Sequence, residues 1–203
     1  MTAIVDYGVG NLFSLKSSFE AIGEQITVTS DAEVLAAADR IVLPGVGAFG
    51  DAAQKLRDSG LDKVLISLAN SGKPLMGICL GMQLLFEKSC EYGEHAGLSL
   101  IPGEIRPISE VVPPELKIPH MGWNALIRKQ SPIFKYTDGD AHMYFVHSFS
   151  AFCKDEYIIA SAEYGGLLTA AVQRDNVFGC QFHPEKSGDE GLKILKAFCE
   201  VRQ

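Results

Sequence analysis

Two hydrophobic patterns alternate along the first half of the chain. Short continuous apolar runs, which are typical of buried strands, are followed by segments whose apolar residues recur every three or four positions, which is typical of amphipathic helices. The predicted strands cover residues 2–6, 25–29, 40–43 and 75–78, and the predicted helices cover 11–22, 31–38, 48–58, 61–70 and 80–88. This alternation predicts an α/β fold with a doubly wound, mostly parallel sheet.

The second half of the chain has short apolar segments with little helix between them. Predicted strands lie around residue 105 and over 124–127, 142–147, 158–163, 168–174 and 177–181, with a tight hairpin turn at 175–176. They predict extra antiparallel strands in the C-terminal half. A last amphipathic helix over 188–201 is predicted to bury Leu192, Leu195, Cys199 and either Ala197 or Phe198. Residues 110–115 read as a surface loop, and without a linker or repeat we expect one domain over 1–203.

Composition and charge narrow the class of protein. The 203 residues are 47% hydrophobic and 21% charged, which suits one globular core, and the net charge of −7 argues against a general nucleic-acid surface. We find no signal sequence and no membrane-spanning run. Five scattered cysteines without a Cys-x-x-Cys pair favour a reducing cytosol, and no histidine has metal-ligand spacing, so we expect a cytoplasmic enzyme without metal or cofactor.

A cysteine lies at the centre of the run Gly77-Ile78-Cys79-Leu80-Gly81, directly after an apolar strand. This pattern is typical of a nucleophile elbow, a tight strand-to-helix turn that presents one side chain at the end of a sheet. At a helix N-terminus the unpaired N–H groups favour a thiolate, so Cys79 is predicted to be a nucleophile, with the Leu80 N–H as one oxyanion donor. The other cysteines are predicted to be small core residues: Cys90, Cys153, Cys180 and Cys199.

The run His183-Pro184-Glu185 could supply a base and its orienting group. Proline favours an extended conformation at His183, and residues two apart in an extended chain point the same way. Glu185 could therefore hold the ring of His183 while His183 activates Cys79. A solvated Glu185 beside a structural histidine is the alternative.

A glycine-rich segment, Pro44-Gly45-Val46-Gly47, follows the third predicted strand. It could be an ordinary strand-to-helix turn or a weak phosphate cradle, although it lacks a complete nucleotide-binding motif. Because the carboxyl ends of neighbouring strands meet at one sheet edge, we favour a third interpretation, in which the segment brings a second oxyanion donor beside Cys79.

These three segments together resemble the class I, or triad, glutamine amidotransferases, in an order and spacing that cover nearly the whole chain. Four runs are similar to the subgroup that supplies ammonia for imidazole glycerol phosphate synthesis in histidine biosynthesis. They are residues 6–12 (Asp-Tyr-Gly-Val-Gly-Asn-Leu), 119–124 (Pro-His-Met-Gly-Trp-Asn), 144–149 (Tyr-Phe-Val-His-Ser-Phe) and 183–187 (His-Pro-Glu-Lys-Ser). The run 119–124 is the most specific of them.

The resemblance implies a glutaminase that forms a γ-glutamyl thioester on Cys79, with His183 as acid and base and Glu185 as its orienting group. It implies an oxyanion hole from the Leu80 N–H and an N–H of residues 45–47, with the Val46 N–H, after a peptide flip, as the expected donor. The implied oxyanion and glutamine contacts are Gly45, Val46, Gly47, Leu80, Gln83, His147, Ser148 and Phe149.

The resemblance also implies a heterodimer with a (β/α)₈-barrel cyclase subunit that receives ammonia through a protected channel. The implied interface residues are Asn11, Ser14, Lys16, Met121, Trp123, Asn124, Tyr144 and Lys186. A core position for Trp123 and a solvated charge for Lys186 are the alternatives. Two other functions stay open: a triad glutaminase serving another synthase, such as that for pyridoxal phosphate, and an inactive scaffold that only binds and regulates the barrel subunit.

Overall fold

An eight-stranded mixed sheet forms the centre of the protein in the computed structural model, which describes residues 1–202. The helices are α1 Leu12–Ala21, α2 Ala32–Ala37, α3 Phe49–Asp58, α4 Leu61–Asn70, α5 Leu80–Gln83 and α6 Gly188–Cys199. The strands are β1 Thr2–Val5, β2 Ile26–Thr29, β3 Arg40–Leu43, β4 Leu75–Ile78, β5 Phe86–Ser89, β6 His95–Ala96, β7 Ile101–Pro107, β8 His120–Ala125, β9 Ile127–Arg128, β10 His142–His147, β11 Phe149–Phe152, β12 Ile158–Glu163, β13 Leu167–Arg174 and β14 Val177–Cys180.

The central sheet has the strand order β2-β1-β3-β4-β14-β13-β12-β9. The first five strands in this order are parallel, and β13, β12 and β9 continue the sheet with antiparallel pairing. The expected α/β fold with antiparallel C-terminal strands is therefore confirmed. The carboxyl ends of β3, β4 and β14 meet at one edge, and this edge carries the segments that the sequence singled out.

Two apolar layers cover the faces of this sheet. Phe49 of α3 and Leu65 of α4 pack on one face, and Phe19 of α1 and Phe198 of α6 pack on the other. Because both faces are covered, β1, β3, β4 and β14 are buried along their whole length.

Two smaller sheets lie beside the central one. A two-stranded antiparallel ribbon joins β8 to β10, and a four-stranded sheet has the order β11-β7-β5-β6. The predicted helix over 80–88 is wrong, because α5 ends at Gln83 and residues 86–89 form β5. Residues 84–86 are three consecutive buried apolar residues, and such a run does not distinguish a helix from a strand.

Three further expectations need correction. The predicted strand over 124–127 is divided between β8 and β9, because buried Leu126 turns inward and its N–H donates to the Ala141 carbonyl at 3.0 Å. The predicted surface loop over 110–115 carries a buried residue, Val112, which packs in a small separate core. In α6 the buried side chains include Ile194, Leu195, Ala197 and Phe198, whereas Leu192 and Cys199 are half-buried.

No helix within residues 1–202 combines the length and apolar character that a membrane crossing requires.

Candidate active site

Cys79 occupies the predicted elbow between β4 and α5. Its backbone has φ +55° and ψ −113°, a region that costs a residue with a Cβ roughly 1–3 kcal/mol. The Cys79 N–H donates to the Cys180 carbonyl at 2.7 Å and so anchors the turn to β14. A Cβ on Gly77 would lie 2.4 Å from the Gly81 oxygen, and one on Gly81 would lie 1.9 Å from the Leu43 oxygen. Both glycines are therefore required by close backbone approach.

His183 and Glu185 form a buried pair beside the thiol. His183 Nδ1 lies 2.7 Å from Glu185 Oε1, with the side chains only 3% and 4% exposed. His183 interacts with the Cys79 thiol closely enough to change its own pKa, and because Nδ1 faces Glu185, Nε2 is the nitrogen left for that sulfur. Glu185 is thus not solvated. His183 itself is extended, with φ −101° and ψ 97°, as predicted. Residues 184–186 then form a single 3₁₀ turn, so Glu185 makes the predicted contact from that turn and not from a continuing extended chain.

The electrostatics of this pair favour a charged imidazole. Burial is the largest single influence and lowers the pKa of His183. Electrostatic and polar interactions with Cys79 and Glu185 outweigh it and raise that pKa to about 9. His183 is therefore suited to deliver a proton at neutral pH.

The glycine-rich segment 44–47 lies directly against the elbow, as predicted. A Cβ on Gly45 would lie 2.8 Å from the Gly81 nitrogen and 2.9 Å from Leu80 Cβ. Gly47 has φ +97°, in the region that favours glycine. The Tyr7 hydroxyl donates to the Pro44 carbonyl at 2.8 Å and holds the segment from below. Val46 and Gly47 line the same cleft as Cys79 and Leu80.

This cleft has a volume of about 350 Å³, which is adequate for a small amino acid. Its lining contains most of the predicted catalytic and substrate residues: Val46, Gly47, Cys79, Leu80, Gln83, His147, Ser148, Phe149 and His183. A larger groove of about 930 Å³ lies elsewhere, between Leu126, Phe134 and Val201, and none of the predicted site residues lines it. The chemistry therefore belongs to the smaller cleft.

Three polar residues of this region were not predicted. Gln181 is fully buried, and its Nε2 donates to Cys79 Sγ at 3.8 Å while its Oε1 accepts from Gln83 Nε2 at 2.9 Å. Glu91 is the one carboxylate lining the cleft, and it accepts from the Phe49 N–H at 2.6 Å. His120 is buried beside His147. Two sequence signals point to these residues: the polar Gln181 inside the apolar run 177–182, and the place of His120 in the specific run 119–124.

The predicted interface residues fall into two groups. Met121 and Trp123 are 60% and 65% exposed on β8, so Trp123 is a surface residue and not a core aromatic. Trp123 contacts Tyr144, with ring centroids 4.9 Å apart, and the Lys186 ammonium lies 5.8 Å from the Tyr144 ring centroid. Asn124 donates to the Glu163 carbonyl at 2.7 Å. The second group lies on α1, where Asn11 accepts from the Ser14 N–H as the cap and Lys16 pairs with Glu20.

The prediction that the other four cysteines are core residues is only partly correct. Cys180 is buried, Cys153 and Cys199 are half-buried, and Cys90 is exposed. Burial raises the pKa of Cys153 to about 11 and that of Cys199 to about 12. Cys90 is therefore the thiol that needs control in any labelling of Cys79.

The fold and the cleft define a class of protein that comparison with known proteins identifies directly. The family model for class I glutamine amidotransferases matches residues 3–201, and the chain belongs to that family. Solved structures titled glutamine amidotransferase and PurLQS from Thermotoga maritima share its fold, with TM-scores of 0.75 and 0.76 at 18% and 20% identity. The first alignment covers 97% of this chain and 98% of that one, and the second covers 98% and 96%.

Its full-length relatives are more specific. An imidazole glycerol phosphate synthase subunit HisH from Sulfurimonas denitrificans is 48% identical over 204 residues, covering 100% of this chain and 99% of that protein. The protein of the same name from Wolinella succinogenes is also 48% identical over 204 residues, covering 99% and 100%. Within the class, the chain therefore belongs with the HisH subunits, and the predicted subgroup is confirmed.

Proposed function

We propose that this chain is the glutaminase subunit of an imidazole glycerol phosphate synthase, which hydrolyses glutamine to glutamate and ammonia for histidine biosynthesis. The observation that carries this proposal is the arrangement of Cys79 and His183 in the lining of one cleft, with Glu185 hydrogen-bonded to His183. Its full-length likeness to HisH subunits supports the choice of synthase over that of pyridoxal phosphate.

The first half of the reaction uses the Cys79 sulfur as nucleophile. Sγ attacks the side-chain carboxamide carbon of glutamine, and the carbonyl electrons move onto oxygen. His183 then donates its Nε2 proton to the departing nitrogen while the C–N bond breaks, which releases ammonia and leaves a γ-glutamyl thioester. Glu185 holds the imidazole by its Nδ1–H throughout.

The second half returns the enzyme to its starting state. His183, now neutral, removes a proton from water as the water oxygen attacks the thioester carbon. The C–S bond breaks, glutamate leaves, and the thiolate and imidazolium are restored. The scheme uses no cofactor.

Developing negative charge on the carbonyl oxygen requires two donors. We assign them to the Leu80 N–H at the start of α5 and to an N–H of the segment formed by Gly45, Val46 and Gly47. Loss of one such donor costs about 10²–10³-fold in kcat in a comparable acyl-transfer site.

The amino-acid end of glutamine needs contacts for an ammonium and a carboxylate. The backbone of 147–149 and the side chain of Gln83 supply polar groups in the cleft, and Glu91 adds a negative charge suited to the α-ammonium. We assign this contact to Glu91 because its carboxylate is part of the cleft lining.

Residues 1–203 act as one cytoplasmic amidotransferase domain, paired with a (β/α)₈-barrel cyclase subunit that receives the ammonia. A dry conduit keeps ammonia from becoming ammonium, which is not a nucleophile. The exposed Met121 and Trp123, with Tyr144 and Lys186 beside them, suit a docking surface next to the cleft, since aromatic anchors are enriched at interfaces.

Replacing the thiol separates catalysis from structure. Cys79→Ala is expected to abolish glutamine-dependent synthesis in the assembled enzyme and to leave synthesis from added ammonium chloride within about twofold, because only the ammonia source is lost. Cys90→Ala, which removes the exposed cysteine, is the matched control and should change neither rate.

Labelling gives a second measurement on the same assembled enzyme. A chloroketone analogue of glutamine should modify Cys79 and not Cys90, as read by peptide mass mapping. Modification of another residue, or no modification during synthase turnover, would contradict the proposed glutaminase activity and would favour an inactive scaffold. Loss of the ammonium-driven rate in Cys79→Ala would make Cys79 structural.

A further inference from the structure

His120 is a buried histidine on β8 that the reaction scheme does not use. It is 2% exposed and is not among the residues that line the cleft. Its ring stacks on Phe145, with centroids 4.9 Å apart, and on Tyr164, with centroids 4.3 Å apart. These contacts fix the plane of the ring, so its nitrogens point in defined directions.

The hydrogen bonds of His120 and His147 determine which nitrogens carry protons. His147 Nδ1 lies 2.8 Å from the Phe149 carbonyl oxygen, which can only accept, so Nδ1 is protonated. Neutral His147 then offers Nε2 as an acceptor, and His120 Nδ1, 3.0 Å away, must donate to it. His120 Nε2 is left to accept from the Asn124 amide nitrogen at 3.4 Å.

The surroundings keep both rings neutral, as this pattern needs. Burial is the main cause that lowers the pKa of His147, to about 4, and burial also lowers the pKa of His120. A second proton on His147 would place two donors face to face across the 3.0 Å contact, and a second proton on His120 would face the Asn124 amide donor at 3.4 Å.

The chain of donors ends on a carbonyl of the substrate cleft. The Phe149 oxygen accepts from His147 Nδ1 and, at 3.2 Å, from Gln83 Nε2, so both of its lone pairs are occupied. His147, Phe149 and Gln83 all line the cleft. His120 is therefore connected by hydrogen bonds, through His147, to a set of cleft groups although it does not line the cleft itself.

The strands that carry His120 and His147 form a ribbon that needs contacts of this kind to hold its position. β8 and β10 form a two-stranded ribbon, in which His120 pairs with His147 in register. Such a ribbon has little stability of its own and depends on contacts with its surroundings. Its exposed face carries Met121 and Trp123, on the side opposite His120.

We propose that His120 is a positioning residue for glutamine binding, acting through His147 to hold the Phe149 carbonyl and Gln83 in place. This inference rests on the proposed glutaminase function. It predicts that loss of the His120 N–H weakens glutamine binding more than it slows the chemical step.

The test is steady-state kinetics of glutamate formation by the assembled enzyme during synthase turnover. His120→Phe keeps an aromatic ring in the stack but removes the donor, and it should raise KM for glutamine about tenfold with kcat within about threefold. His120→Asn puts an amide N–H near the position of Nδ1 and should restore KM to within about threefold of the original protein. His142→Phe, a change at an exposed histidine of the same ribbon, should leave both constants unaltered.

Synthesis from ammonium chloride reports whether the complex is intact, and it should not change in any of these variants. An unchanged KM in His120→Phe, or a parallel fall in kcat and in the ammonium-driven rate, would overturn the inference. If His120→Phe does not fold, His120→Gln is used in its place. Equal KM values for the His120→Gln and His120→Asn variants would then overturn the inference. Absence of glutaminase activity in the unmodified enzyme would instead refute the proposed function.

Discussion

At the scale of single residues, the Cys79 sulfur has two polar side-chain neighbours with different chemistry. His183 carries a mobile proton, whereas Gln181 offers an amide N–H that cannot be transferred. Because Gln83 Nε2 donates to Gln181 Oε1, the amide of Gln181 can have only one orientation, with its nitrogen facing the sulfur. The thiol is thereby held from a second side, in a cleft where a small displacement lowers the rate.

We expect Gln181→Leu to lower kcat for glutamine about tenfold and to leave KM within about threefold, because the sulfur loses a positioning contact while Gln83 keeps its hydrogen bond to the Phe149 carbonyl. The buried Gln83 donor that is left unpaired should also reduce the free energy of unfolding by about 1–3 kcal/mol. Kinetics of the assembled enzyme and denaturant unfolding of the free subunit measure the two effects. Gln54→Leu on the exposed face of α3 is the control, and a kcat for Gln181→Leu within twofold of the original would refute the positioning role.

At the scale of elements, the site lies where two segments with a restricted backbone conformation meet, the elbow at residues 77–81 and the glycine-rich segment at 44–47. The elbow is clamped by close backbone approach between Gly77, Gly81 and Leu43, whereas no atom crowds Gly47 in the adjacent segment. Packing therefore requires glycine in the elbow, whereas at position 47 glycine is required only by the positive φ angle of the backbone. A side chain at Gly47 therefore changes the backbone without displacing a neighbour.

We expect Gly47→Ala to reduce kcat by about tenfold or more, because a Cβ disfavours φ +97° and moves the N–H groups that should meet the oxyanion. Gly23→Ala is the matched control, since Gly23 has φ +79° with equal space and lies after α1, away from the cleft. Both variants should lose a similar unfolding free energy, roughly 1–3 kcal/mol. Equal activity in the two variants would show that residues 45–47 do not contribute a donor to the oxyanion hole.

The sequence predicts an element well when the residues that determine it lie within the element itself or in the adjoining turns. The predicted bounds of β4, β10 and α4 match the structure, because each has its own hydrophobic period and turn residues. The stretch 80–88 was mispredicted because its buried apolar residues fit either period. The contact of Gln181 with the thiol and that of His120 with His147 join residues 102 and 27 positions apart, so they depend on tertiary structure that no local pattern specifies.

At the scale of the whole molecule, two buried histidines couple folding to pH in opposite directions. The pKa of His183 is raised to about 9, so its contribution to stability is complete below about 6.5 and is lost as the pH rises to 9. The pKa of His147 is lowered to about 4, so the unfolded chain takes up a proton first, and stability is lost as the pH falls from 6.5 to 4. These two effects together favour maximal stability near neutral pH.

In the acidic window His183 stays protonated in the folded protein and most carboxylates are still ionised at pH 5, while His120 titrates in the same direction as His147, so a His147 variant measures the His147 contribution by difference. We expect His147 to contribute a fall of about 2 kcal/mol in the unfolding free energy of the free subunit between pH 7 and pH 5, since 1.5 pH units below the unfolded pKa correspond to roughly that amount. His147→Gln removes the titrating ring and should remove this contribution of about 2 kcal/mol from the pH dependence, whereas His142→Gln on the surface should leave the pH dependence intact. Urea titrations at the two pH values measure it. An equal pH dependence in the His147→Gln variant would mean that His147 is not held neutral, and the donor directions inferred for His120 would then be wrong as well.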